Sequence, residues 1–324
     1  MLVDSYGRKI TYLRVSVTDR CNLRCIYCRP VGHAIPRLSH DQILRYEEIL
    51  RVVKLAATLG IKKVRITGGE PFVRKDIDVF INELSKISGI EEIAVTTNGT
   101  LLSKYLGVLK SAGVKTINVS LDTLKPDRYR TITGSDDFFK VWAAICEAKK
   151  MGFRAIKINV VLLKGINEDE IIDFALLSVK EPFYIRFIEH MPVCSGNESF
   201  FLVSGKDVRG YLKKRFEMSM LEEDKSTSYP GPARYYKLKG AKGVLGFIDP
   251  ITSHFCNACN RIRLTADGHL KPCLLSSYQI DIKSYLRSGA NDEDIKALII
   301  KAVKEKPIFH ENNVIGKAMS TIGG

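Results

Sequence analysis

No segment of this chain strings together the roughly 20 apolar residues that a transmembrane helix requires, so such a helix is excluded. The start, Met1-Leu2-Val3-Asp4, is too polar for a secretory signal. No internal repeat, low-complexity tract or linker marks off an independent module. Acidic residues are scarce beside basic ones, 36 against 50, which leaves a net charge of +14. Such an excess ordinarily suggests nucleic-acid binding. Aromatics, however, do not interleave with a basic stripe as a single-strand groove requires. Much of the charge is scattered, as at Lys54, Lys62, Lys63, Lys149 and Lys150, where a solvated helix face is the default reading. No nucleic-acid or membrane partner is expected. A small polyanionic substrate accounts for a basic cleft equally well.

What the chain does have is cysteine in a pattern. Of its eight cysteines, three fall in the order Cys21-x3-Cys25-x2-Cys28, with Tyr27 beside the last. Three thiolates on one loop can hold three irons of a cubane cluster and leave the fourth without a protein ligand. An open iron can take up a small molecule, whereas a cluster closed by four cysteines mainly carries electrons. A second trio, Cys256-x2-Cys259-x13-Cys273, spans a hairpin-sized stretch near the other end. Alone it reads as zinc or iron–sulfur, because His254 or His269 could complete a zinc ribbon. Beside the first trio, iron–sulfur is the better reading. Cys146 and Cys194 read as packed small hydrophobes or bystanders. Clustering in trios favours metal binding in a reducing cytoplasm over disulfides.

Apolar residues make up 45% of the chain, enough for a substantial core. Apolar-rich strands at 13–17, 63–67, 92–97, 116–121, 155–163 and 184–189 alternate with helical stretches at 40–59, 77–87, 101–111, 138–151 and 168–178. Gly60, Gly113 and Gly152 close three of the helices as C-terminal glycines do. This rhythm predicts a parallel sheet with right-handed crossovers, either doubly wound or closed as a barrel. Later, short antiparallel strands are predicted at 235–238, 244–248 and 261–265, with Asp267-Gly268 as a hairpin turn. A connector at 200–214 leads into a helix, and an amphipathic helix is predicted at 292–304.

The Cys21–Cys28 motif, followed by Thr67-Gly68-Gly69-Glu70-Pro71, resembles the radical S-adenosylmethionine enzymes. The second trio, Arg261-x-Arg263 and the terminal Gly323-Gly324 narrow the resemblance to the GTP 3′,8-cyclase family of molybdenum cofactor (molybdopterin) synthesis, over essentially the whole chain. It implies an α/β fold, an incomplete (β/α)6 TIM-type barrel whose open side is closed by a small C-terminal α+β extension. The division implied is residues 1–220 for the barrel and 221–324 for the second-cluster and substrate region. Two 4Fe–4S clusters are implied, one on Cys21, Cys25 and Cys28 and one on Cys256, Cys259 and Cys273, together with S-adenosylmethionine held by Tyr27, Gly69, Ser120 and Met191. The implied reaction cleaves S-adenosylmethionine to a 5′-deoxyadenosyl radical, which removes the 3′ hydrogen of GTP. C3′ then attacks guanine C8 to give (8S)-3′,8-cyclo-7,8-dihydroguanosine 5′-triphosphate.

Residues lacking a Cβ, Gly68 and Gly69, allow the backbone to approach a ligand or adopt positive φ. Arginine forks match phosphate geometry better than lysine does. The resemblance assigns GTP contacts to Arg14, Arg65, Thr96, Lys157, Arg261 and Arg263, and Arg186 on the sixth strand is added to them. Arg65 and Lys157 sit in apolar strands and need either an anionic partner or a place at the barrel mouth. The unligated iron of the second cluster would contact guanine. Gly323-Gly324 would reach into the active site and serve catalysis with Arg14, Arg261 and Arg263. Implied partners are the next enzyme, cyclic pyranopterin monophosphate synthase, and a separate electron donor, and a homodimer is allowed. The competing readings are a radical enzyme acting on a peptide and a non-enzymatic protein that binds metal and nucleic acid.

Overall fold

The structure is a computed structural model that describes residues 1–28, 37–191, 202–222, 228–229 and 231–310. Six strands, β1 (Tyr12–Ser16), β2 (Lys63–Thr67), β3 (Glu92–Thr97), β4 (Thr116–Ser120), β5 (Ala155–Leu162) and β6 (Tyr184–Glu189), pair in parallel in chain order. Between them run α1 (Tyr46–Thr58), α2 (Ile77–Ser85), α3 (Leu102–Ser111), α4 (Pro126–Thr133), α5 (Phe138–Lys150) and α6 (Ile171–Lys180). Each strand sorts its residues by period two. Leu13 and Val15, Val64 and Ile66, and Ile156, Ile158 and Val160 are buried in the core under the helices. Their neighbours Arg14, Arg65 and Lys157 point the other way, into the barrel.

Three details depart from the sequence reading. α1 starts at Tyr46 rather than near residue 40, because the preceding backbone is committed elsewhere, with Leu44 N–H donating to Ala266 O at 2.9 Å. The helix expected from residue 168 opens as a 3-10 turn, Glu168–Glu170, before α6. α4 was not expected. Its sequence is polar, and its signals are Pro126 in the first turn and Gly134 at the C-cap with φ +71°. Gly60, Gly113 and Gly152 do follow their helices with positive φ.

The C-terminal part comprises α7 (Gly205–Lys213), β7 (Met218–Met220), β8 (Arg234–Leu238), β9 (Val244–Ile248), β10 (Arg261–Leu264), β11 (His269–Lys271), β12 (Ile280–Asp281), α8 (Lys283–Arg287) and α9 (Asp292–Lys304). It does not form a separate antiparallel sheet. β9 pairs in parallel with β6, and β10 in parallel with β1, so both free edges of the six-stranded sheet are extended. Only the outer pairs, β7–β8–β9 and β10–β11–β12, are antiparallel, the latter turning at Gly268 with φ +83°. β9 and β10 form no pair among the described residues, so the barrel is incomplete. The parallel pairing has a physical basis: each added strand satisfies the open backbone groups of an edge that would otherwise remain exposed. Among the described residues no helix is long and apolar enough to cross a membrane.

Candidate active site

A cavity of about 330 Å³ opens inside the barrel. Every described residue that the sequence reading assigned to a cluster, S-adenosylmethionine or GTP lines it, although these residues are spread from position 14 to position 273. Gly323 and Gly324 lie outside the described residues, as does Cys194.

The first trio sits on the loop after β1. Val17 N–H donates to Thr67 O at 2.9 Å, Gly69 N–H to Thr18 O at 2.7 Å, and Glu70 N–H to Arg20 O at 2.8 Å, so the Gly68-Gly69-Glu70 segment clamps the chain leading to Cys21. This is what the two glycines are for. Neither has positive φ, contrary to one of the uses expected of them. A Cβ on Gly69 would stand 2.3 Å from Arg20 O, and one on Gly68 2.7 Å from Thr18 O. From the other side α4 holds the loop, with Arg24 N–H on Thr133 O at 2.9 Å and Ile26 N–H on Ile132 O at 3.0 Å.

Two buried carboxylates order the surroundings of these cysteines. Glu70 accepts from Asn98 N–H at 2.6 Å, the Thr97 hydroxyl at 2.8 Å and Phe72 N–H at 3.2 Å. Burial nonetheless raises it to about 7. The Asn98 side-chain amide, fixed in turn, donates to Asn22 Oδ1 at 2.9 Å and toward Cys21 Sγ at 3.8 Å. Asp122 accepts from the Tyr27 hydroxyl and from Val161 N–H, each at 2.8 Å, and burial lifts it to about 6. Burial, then Asp122 and the neighbouring Cys28 and Cys21, hold the Cys25 thiol well above its usual range. Three thiols whose charges oppose one another in a buried loop suit an iron cluster, which accepts all three as ligands. None of the described cysteines forms a disulfide.

The cavity wall is cationic and arranged in rows. The parallel register sets Arg263, Arg14 and Arg65 side by side on β10, β1 and β2, and one layer away Arg261, Tyr12 and Lys63. Burial and then Arg263 hold Arg14 well below its ordinary range, and burial and then Arg261 bring Arg263 to about 10. Burial alone would raise Tyr12, but Arg65, Arg14, Lys63 and Arg261 outweigh it and bring the phenol to about 8. Across the cavity, Lys157 Nζ lies 3.4 Å from the Tyr235 hydroxyl, and Arg186 hydrogen-bonds Asn118 Oδ1. Gly246 leaves room for Arg186, since a Cβ there would stand 2.9 Å from its Cγ. Arg65 Nη1 reaches Thr96 Oγ1 at 3.4 Å. Lys63 corrects the sequence reading. It is no solvated helix residue but 2% exposed, in the wall, and paired with Glu92 at 2.6 Å. Its place two residues before Arg65 on an alternating strand was the available signal.

The second trio faces the same cavity. Cys256 opens a 3-10 turn, Cys259 stands before β10 and Cys273 follows β11. Burial would raise Cys259, but Arg261 and Lys306 outweigh it and bring the thiol to about 6. Of the two histidines that could have completed a zinc ribbon, His254 lines the cavity, while His269 pairs with Asp267 at 3.1 Å on the hairpin. His190, Asn159, Lys306 and His310 also line the cavity; His190 follows β6 and Asn159 stands two residues after Lys157 on β5, whereas Lys306 and His310 had no sequence signal of their own.

Known proteins resemble the chain along nearly its whole length. The pattern of the Radical SAM superfamily matches residues 15–177, and that named Molybdenum Cofactor Synthesis C matches residues 183–312. A protein of Thermodesulfovibrio yellowstonii named GTP 3′,8-cyclase is 49% identical over 99% of both chains. One of the same name from Moorella thermoacetica is 46% identical, again over 99% of both. Among solved structures, Streptococcus suis SuiB bound to its precursor peptide SuiA superposes with a TM-score of 0.64 at 16% identity, covering 94% of this chain and 66% of that one. At that identity the likeness speaks for the fold alone.

Proposed function

The chain belongs to the radical SAM superfamily and, within it, to the GTP 3′,8-cyclases, and we propose from that premise how its residues divide the work. It is an enzyme that converts GTP to (8S)-3′,8-cyclo-7,8-dihydroguanosine 5′-triphosphate, the first step of molybdenum cofactor biosynthesis. A 4Fe–4S cluster and S-adenosylmethionine, when bound, would supply the one-electron reductive chemistry by which the 3′ hydrogen atom of GTP is taken up, and joining C3′ to guanine C8 would then need one further electron and a proton to give the dihydro product.

Cys21, Cys25 and Cys28 would hold that cluster, with Asn98 and Asp122 fixing the loop around them. Tyr27, Gly69, Ser120 and Met191 would hold S-adenosylmethionine beside it. Arg14, Arg65, Lys157, Arg186, Arg261 and Arg263, with Thr96, would bind GTP. Buried guanidinium groups that oppose one another favour a polyanion, and a triphosphate supplies three phosphates to forks that suit them. The same cationic wall disfavours a peptide as substrate. Cys256, Cys259 and Cys273 would hold a second 4Fe–4S cluster against the guanine, and Gly323-Gly324 would reach in from the C-terminus. Residues 1–220 would thus serve the first cluster and 221–324 the second. The enzyme would work in the cytoplasm, allow a homodimer, draw electrons from a separate donor and pass its product to cyclic pyranopterin monophosphate synthase.

One observation carries this reading, namely that both cysteine trios and the arginine rows line one cavity. Replacing Arg261 or Arg263 by Ala tests it. S-adenosylmethionine cleavage should persist while GTP cyclisation falls at least tenfold, and an equal loss of both would remove these arginines from the substrate side.

A further inference from the structure

Lys306 follows α9 and is 3% exposed. Its ammonium donates to Arg261 O at 2.9 Å and to Pro272 O at 2.7 Å. An ammonium has three N–H donors, and these two carbonyls take two of them. The first carbonyl belongs to the residue two positions after Cys259, the second to the residue before Cys273. Lys306 therefore ties together the segments that carry two of the three cysteines. Arg8 completes the clamp, since its guanidinium, paired with Asp4 at 2.5 Å, donates to Cys256 O and to Pro307 O, each at 2.7 Å.

Neutral carbonyls satisfy the hydrogen bonds of a buried ammonium but not its charge. The available anions are the thiolates. Three thiolates on a cubane core of charge +2 carry a net charge of −1, and uptake of one electron makes it −2 with no proton moved. A fixed cation held beside the segments that carry Cys259 and Cys273 stabilises the reduced form more than the oxidised one.

We propose that Lys306 is a positioning residue of the second iron–sulfur site, setting the spacing of Cys259 and Cys273 and compensating the charge the cluster gains on reduction. This rests on the second-cluster reading above.

The test uses the full-length chain with Cys21, Cys25 and Cys28 all replaced by Ala, so that only the second trio can load. Reconstituted anaerobically, this parent should bind about four irons and give one paramagnetic signal on dithionite reduction. Lys306→Met and Lys306→Arg are then compared in a redox titration followed by that signal. Lys306→Met should lower the reduced-to-oxidised ratio at fixed potential at least tenfold, a midpoint shift of about 59 mV for one electron. Lys306→Arg, which keeps the charge, should stay within about threefold of the parent, or about 28 mV. An iron-loaded Lys306→Met with the parent's midpoint overturns the proposal, because a merely structural lysine would cost iron or melting temperature without moving the potential. If Lys306→Met loads no iron, Lys306→Arg decides: loading with the parental midpoint upholds the proposal, and failure to load overturns it. A parent that takes up no iron refutes the second cluster itself, and the proposal falls with it.

Discussion

Glu70 shows how one side chain links folding to the site. Its carboxylate is buried and satisfied by Asn98, Thr97 and Phe72, and through Asn98 it orders the contact with Cys21. Burial raises it from 4.5 to about 7, so between those values the folded chain keeps a proton that the unfolded chain has released. Its stabilising contribution is therefore complete below about pH 4.5 and is lost as pH rises toward 7, on the order of 3 kcal/mol in all. Thermal melts of the metal-free chain across that window should show this fall, and Glu70→Gln should flatten it even if the variant is less stable throughout. An unchanged slope would mean that Glu70 titrates normally in the folded chain. A plainer residue-scale expectation concerns Cys25. Cys25→Ala should abolish S-adenosylmethionine cleavage, measured as 5′-deoxyadenosine release, and cleavage at the parental rate would remove Cys25 from the first cluster.

Among the elements, the described stretch that follows β1 is held by its neighbours from two sides. Gly69 is hemmed in by Arg20 O at 2.3 Å from where a Cβ would stand, and the obstacle is backbone that cannot swing away. Gly69→Ala should cost about 1–3 kcal/mol as overpacking, and it should displace the cysteine loop, lowering iron uptake and S-adenosylmethionine cleavage together. Gly107→Ala is the control. A Cβ there, on α3, meets nothing within 4 Å, so the change should stabilise the chain by up to about 1 kcal/mol. Denaturant melts with iron counts check both. The elements themselves were unequally legible. β1 to β6 were read to within one residue at each end, because alternation and flanking glycines mark a buried strand. α4 was missed because its polar octet lacks the apolar period that reveals longer helices. The start of α1 was misplaced because contact with Ala266, more than two hundred residues away, decides where the helix begins.

The molecule as a whole places distant residues on one surface, and here the sequence is least explicit. Motif spacing was enough to name both trios, since metal ligands leave a strong local signature, whereas the arginines came from the family resemblance, with Arg186 added from its place on the sixth strand. The partners of β9 and β10 were not legible. Edge pairing is a choice between sheet edges that no local pattern encodes, and it is what brings Arg261 and Arg263 alongside Tyr12 and Arg14. Lys63 and Lys306 were equally hidden, because a buried lysine looks like any surface lysine until its neighbours are known. The central claim is that one cavity joins two cluster sites to a site for GTP. The most direct test is to reconstitute the chain anaerobically, count iron and sulfide, and identify by mass spectrometry what it makes from GTP and S-adenosylmethionine under dithionite. About eight irons per chain, with 3′,8-cyclised GTP formed alongside 5′-deoxyadenosine, is the predicted result. About four irons, with 5′-deoxyadenosine formed and GTP returned unchanged, would contradict it.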